Sequence, residues 1–125
     1  MNTQINSLLT KAKKDRTILA IALFGSYARN ETYNDIDICI FLKPATYTKK
    51  KLSEKKLEYT SENSKIDVSI FQQLPLYIKE RVIQEGKFIY GKDVPELYDL
   101  CFEMMRELGH YKPFYEEYLA AVAHG

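Results

Sequence analysis

Two strand-like runs joined by a short polar stretch constrain this chain more than anything else in it. Thr17-Ile18-Leu19-Ala20-Ile21-Ala22-Leu23-Phe24 is continuously apolar and partly β-branched, the pattern of a strand buried on both faces. It stops at Gly25-Ser26. A glycine at that turn lets the backbone approach a polyphosphate closely, and a serine opening a helix adds a hydroxyl beside unpaired N–H groups that favour anions. The second run, Asp35-Ile36-Asp37-Ile38-Cys39-Ile40-Phe41-Leu42, reads as a strand with alternating faces. Asp35 and Asp37 then point one way, and Ile36 and Ile38 point into a core. Two carboxylates on one strand edge suit Mg²⁺, which takes one or two carboxylates plus substrate phosphates and keeps several waters.

A third acid stands in a third run, Lys65-Ile66-Asp67-Val68-Ser69-Ile70-Phe71, where Asp67 interrupts a β-branched strand. A pair of metal ions a few ångströms apart needs a further ligand of this kind, and the same carboxylate can accept the proton of an attacking hydroxyl. Three acids from two strands therefore form the expected centre, with Asp35, Asp37 and Asp67 as metal ligands and catalytic groups. Gly25 and Ser26 are the expected phosphate seat. Arg29, one turn into the following helix, is either a further phosphate contact or an exposed helix residue.

These residues resemble the minimal nucleotidyltransferases of the DNA polymerase beta superfamily, of the MntA-like antitoxin type, whose signature is Gly-Ser, a short spacer and Asp-x-Asp. The later segment Gln84-Glu85-Gly86-Lys87-Phe88-Ile89-Tyr90-Gly91 looks like that family too, so the resemblance runs from about Thr17 to Tyr90. Eight residues, Tyr27 to Asn34, separate Ser26 from Asp35, a shorter spacer than the family's commonest. The resemblance implies an α/β (α+β) fold with a small mixed sheet of three to four strands. It also implies metal-dependent transfer of a nucleoside monophosphate, AMP from ATP, to a hydroxyl acceptor with release of pyrophosphate, using Mg²⁺ or Mn²⁺.

Composition bounds the setting. A chain of 125 residues is one domain, with a catalytic core over about 17–90 and C-terminal helices over 95–123, and too small for a separate acceptor-reading domain. Its 18 Lys and Arg stand against 17 Asp and Glu, a net charge of +1, so nucleic-acid binding finds no support in the overall balance. Cys39 in a strand and Cys101 on an apolar helix face read as small core hydrophobes rather than a disulfide. No run approaches a membrane span and Met1-Asn2-Thr3-Gln4 is no signal peptide, so a cytoplasmic protein is expected.

Around the strands, Ile5, Leu8, Leu9 and Ala12 mark a first amphipathic helix. Leu52 and Leu57 are sparse apolar anchors of a lysine-rich helix between Pro44 and Ser64. Leu76 to Ile83 forms a helix closed by Gly86, and Lys87-Phe88-Ile89-Tyr90 is a short edge strand. Leu97, Leu100, Cys101, Met104, Met105 and Leu108 give a regular helical stripe ended by Gly109, and Pro113 starts a last helix.

Several features carry a plain reading beside a sharper one. Lys49-Lys50-Lys51 with Lys55 and Lys56 is a solvated helix face, or else a basic arm that steers ATP or an anionic partner. His110 and His124 have no zinc-site spacing and read as structural or surface residues. Tyr98, Tyr111, Tyr115 and Tyr118 crowd the C-terminal third, either as core and rim packing or as a partner interface. Taken alone, Asp35 and Asp37 are also compatible with a solvated strand edge or with the Asp-x-Asp of a sugar-nucleotide glycosyltransferase, which needs no glycine-serine turn upstream.

The acceptor is the least determined element. Family members of this size resemble the antitoxin half of a toxin–antitoxin pair, in which the nucleotidyltransferase adenylylates a tyrosine of a helical HEPN-type toxin (AMPylation). Two alternatives are a stoichiometric antitoxin that silences its partner by contact alone, and a nucleotidyltransferase acting on a small molecule.

Overall fold

The computed structural model describes residues 3–25, 35–60, 66–91 and 94–107. Helix α1 (Thr3–Lys13) leads into strand β1 (Ile18–Phe24), followed by β2 (Ile36–Leu42), α2 (Lys49–Tyr59) and β3 (Ile66–Ile70). A 3-10 turn (Phe71–Gln73) then connects to α3 (Leu76–Glu85), β4 (Lys87–Tyr90) and α4 (Pro95–Glu107). The four strands form one mixed sheet in the order β3-β2-β1-β4. β1 is antiparallel to both β2 and β4, whereas β3 lies parallel to β2, as expected when α2 carries the chain back between them. The expected mixed sheet and the edge position of β4 are both present.

Helices cover both faces, which is why β1 and β2 are apolar at nearly every position. On one face Ile5, Leu8 and Ala12 of α1 and Leu52 and Tyr59 of α2 pack with Ile21, Leu23, Ile38, Ile40 and Val68. On the other, Val82 of α3 and Leu97, Cys101, Met104 and Met105 of α4 pack with Ala20, Ala22, Cys39, Phe41 and Phe71. Phe41 stacks on Phe71 with centroids 4.2 Å apart, and Phe88 tilts against the same ring at 5.3 Å. Cys39 and Cys101 are free and buried in this second core, and burial pushes both thiols up, Cys101 to about 12.

α2 departs from expectation at one anchor. Thr48 caps it, its hydroxyl accepting the Lys51 N–H at 3.1 Å. Leu52 is buried as expected, but Leu57 is 73 % exposed and Tyr59 is the second buried anchor. Helical geometry explains the correction: residues seven apart share a face, whereas Leu57 lies about 140° round the axis from Leu52. The stop after α3 also works differently from a left-handed glycine cap. Gly86 has φ −68°, and a Cβ there would strike the Val82 carbonyl, so close backbone approach is what requires glycine. Leu108, Gly109, His110, His124, Tyr111, Tyr115, Tyr118 and the helix expected after Pro113 lie outside the described residues, and Tyr98 is half-buried.

The end of the sheet away from the acids is tied by one carboxylate. Asp15 accepts from the Thr17 N–H at 3.0 Å and hydroxyl at 2.7 Å, from Lys55 at 2.9 Å and from the Tyr59 hydroxyl at 2.8 Å. Burial by itself would raise this carboxyl, but the bonds from Thr17, Lys55 and Tyr59 outweigh it and hold the group well below the usual carboxylate range. The α1–β1 turn is thereby fastened to α2. β3 is too short to pair with Leu42, and the Gln72 side-chain amide takes its place, donating to the Leu42 carbonyl at 2.8 Å and accepting its N–H at 3.2 Å.

Candidate active site

The strand order brings three of the expected residues into a row across one end of the sheet. Register pairs Asp37 of β2 with Asp67 of β3 on one side and with Phe24, the residue before Gly25, on the other. Adjacent strands lie about 4.8 Å apart, so the two acids stand as direct neighbours on one face. This is the face of Cys39 and Phe41, and the acids sit just beyond the second core. Asp37 is half-buried and Asp67 is exposed.

Gly25 is fitted to Asp37. Its φ is +75°, a left-handed conformation that side chains disfavour, and a Cβ at this position would overlap Asp37 Oδ2. The glycine therefore does two things: it adopts a conformation that other residues disfavour, and it lets the backbone pass directly over a carboxylate.

Asp35 is placed differently from Asp37. It precedes β2, which begins at Ile36, and it is exposed. Among the described residues no group of three or more acids, histidines or cysteines gathers closely enough to make a metal site by itself. The pair Asp37 and Asp67 nevertheless suits a hard cation: the donors are all oxygen, and magnesium needs only one or two carboxylates when substrate phosphates complete its shell. Ser26 and Arg29 lie outside the described residues.

The structure adds a residue that sequence reading did not select. A cleft of about 220 Å³ opens beside Gly25 and Asp37, with Phe24, Ile78 and Val82 as apolar wall and Arg81 and Glu85 of α3 as charged rim. Arg81 lies 3.9 Å from Glu85, an exposed and loose ion pair. In the sequence Arg81 is only a charge inside an amphipathic helix. The signal that marks it is Gly86, which ends α3 against Ala22 and Leu23 and so brings the last two helical turns to the Gly25 end of β1.

A four-stranded mixed sheet with two acids in register beside a left-handed glycine is the framework of a nucleotide-handling α/β domain. The family model "Polymerase beta, Nucleotidyltransferase" matches residues 4–95, and the chain belongs to that family. It is 38% identical over 81 residues to a Methanocaldococcus jannaschii protein provisionally named a protein adenylyltransferase, a match covering 62% of this chain and 59% of that relative. Among solved structures, the fold matches a chain from a substituted MntA–HepT toxin–antitoxin pair, with TM-score 0.62, 19% identity and coverage of 98% of this chain and 99% of that one. A second match comes from a toxin–antitoxin structure with AMP-PNP, with TM-score 0.61, 21% identity and 96% coverage of both chains. A third comes from a tri-AMPylated Shewanella oneidensis HEPN toxin in complex with its MNT antitoxin, with TM-score 0.54, 21% identity and coverage of 96% of this chain and 91% of that one. Among the described residues no helix is long and apolar enough to cross a membrane.

Proposed function

We propose that the chain transfers AMP from ATP to a hydroxyl of a partner protein, the tyrosine of a helical HEPN-type toxin, and serves as the antitoxin of that pair in the cytoplasm. The observation that carries this reading is the register of Asp37 with Asp67, which sets two carboxylates side by side next to the left-handed Gly25 at the end of β1. A relative provisionally named a protein adenylyltransferase supports AMP as the transferred group and a protein as its acceptor. Fold neighbours taken from AMP-PNP-containing and AMPylated toxin–antitoxin structures favour the same setting.

In this reading Asp35, Asp37 and Asp67 hold Mg²⁺ or Mn²⁺, and Gly25, Ser26 and Arg29 bind the β- and γ-phosphates. The bound cation supplies charge neutralisation at the polyphosphate. Asp67, at the outer strand, accepts the acceptor's proton. The acceptor oxygen bonds to the α-phosphorus, the bond from that phosphorus to the bridging oxygen of the β-phosphate breaks, and pyrophosphate leaves with the electron pair. Holding the two ends in line is the main contribution of the fold, because phosphoryl-type transfer is accelerated chiefly by positioning and charge stabilisation.

Incubation with labelled ATP, Mg²⁺ and the product of the neighbouring gene, followed by mass spectrometry of both proteins, tests the proposal. Label on a partner tyrosine is the expected result. Inhibition of the partner without label would replace transfer by stoichiometric contact, and label on small alcohols alone would replace the protein acceptor.

A further inference from the structure

We infer that Arg81 binds the pyrophosphate half of the nucleotide and stabilises the departing group; the inference rests on the nucleotidyl-transfer reading above. The order of the strands carries it. Across the sheet end the groups run Asp67 on β3, Asp37 on β2 and Gly25 at the end of β1. In-line displacement requires acceptor and leaving group at opposite ends of the reacting phosphorus. With the proton acceptor Asp67 at the outer strand, the leaving pyrophosphate lies towards Gly25. The cleft that Arg81 lines is the one shared by Gly25 and Asp37, and Asp67 does not line it.

Charge points the same way. Asp37 and Glu85 both line this cleft, and α3 ends at it, so the partial negative charge of the helix C-terminus faces whatever enters. A polyphosphate meets repulsion there that the cation held at the acids offsets on the Asp37 side, and a side-chain cation on α3 offsets it on the Glu85 side. Among the described lining residues Arg81 is that cation. Its guanidinium has a donor fork that matches two phosphate oxygens, and its tie to Glu85 at 3.9 Å is loose enough to exchange. The side chain is 63 % exposed, so it supports no core contact whose loss would confuse the test.

The experiment is calorimetric titration of wild type, Arg81→Ala and Arg81→Lys with pyrophosphate, ATP and AMP in Mg²⁺, alongside transfer kinetics. Arg81→Ala is expected to weaken pyrophosphate and ATP by about ten-fold or more, the size of a lost charge-assisted pair, with AMP binding and the melting temperature unchanged. Arg81→Lys should recover part of the affinity, since it keeps the charge but not the fork. In kinetics KM for ATP should rise and kcat should fall, while KM for the acceptor stays fixed. Wild-type pyrophosphate affinity in Arg81→Ala, or a raised acceptor KM instead, overturns the assignment alone. A wild-type chain that binds neither ATP nor pyrophosphate overturns the nucleotide reading and the assignment together.

Discussion

Asp37 stands directly opposite Asp67 in the parallel register of β2 and β3, two carboxylates on one face with one strand spacing between them. Like charges placed opposite each other across a sheet destabilise it, and in the proposed function a bound cation offsets that repulsion.

Neutralising either acid should therefore separate function from stability. Asp67→Asn is expected to lower turnover by about 10²–10⁴-fold while changing ATP affinity far less, because a proton acceptor acts mainly in the transition state. Asp37→Asn should abolish metal-dependent transfer. Transfer assays read with the melting temperature in EDTA check both, and in the metal-free buffer each variant should melt no lower than wild type.

The two left-handed glycines should behave differently. Gly25→Ala and Gly91→Ala each force a side chain into positive φ, +75° and +74°, at a cost of about 1–3 kcal/mol. The new Cβ at Gly25 would overlap the Asp37 carboxylate, whereas at Gly91 it would meet the Leu19 carbonyl and the Ala20 backbone, away from the acids. Both variants should melt lower, but turnover per folded molecule should fall only in Gly25→Ala.

Asp15 makes stability depend on acid in a defined direction. Its folded pKa is depressed below the ordinary 3.8, so its contribution is fully present above that value and is lost as pH falls towards the folded one. Asp15→Asn should destabilise the protein by about 1–3 kcal/mol at neutral pH, leaving Lys55 and Tyr59 with weaker partners. Denaturant midpoints of the variant and wild type should draw together progressively as the pH falls below 4, and the gap should be constant from pH 5 to 7.

The orientation of α2 is testable with two leucines. Leu52→Ala should cost about 2–5 kcal/mol, as a buried large-to-small change does, and Leu57→Ala about 0.5 kcal/mol or less. Equal effects in urea unfolding would mean that the helix presents another face to the sheet.

Much of this molecule was legible in the chain because the deciding signals are local. The apolar runs of β1 and β2 report that both faces of the sheet are covered, and the stripe from Leu97 to Met105 reports the buried side of α4. The Gly25 turn and the acid positions are local patterns too, so the candidate site could be named before any fold was known. α2 was harder to read, since its lysine-rich composition leaves a weak pattern and only docking on the sheet chooses Tyr59 over Leu57.

What the tertiary structure decided is which of those local pieces meet. Spacing along one strand groups Asp35 with Asp37, but the partner opposite Asp37 comes from thirty residues further on, because parallel pairing through α2 fixes the register. Gly25 looks from the sequence like a seat for phosphate alone, and only the pairing of Phe24 with Asp37 shows that it also makes room for a carboxylate. Arg81 carries no sequence signature, since a charge on an amphipathic helix is ordinary; it reaches the cleft because Gly86 ends α3 against β1. The sequence alone determined which elements form and which chemistry they carry, because period, turn type and side-chain donors are short-range properties. Their assembly into a site rests on strand order and register, which are long-range and exist only once the core has closed.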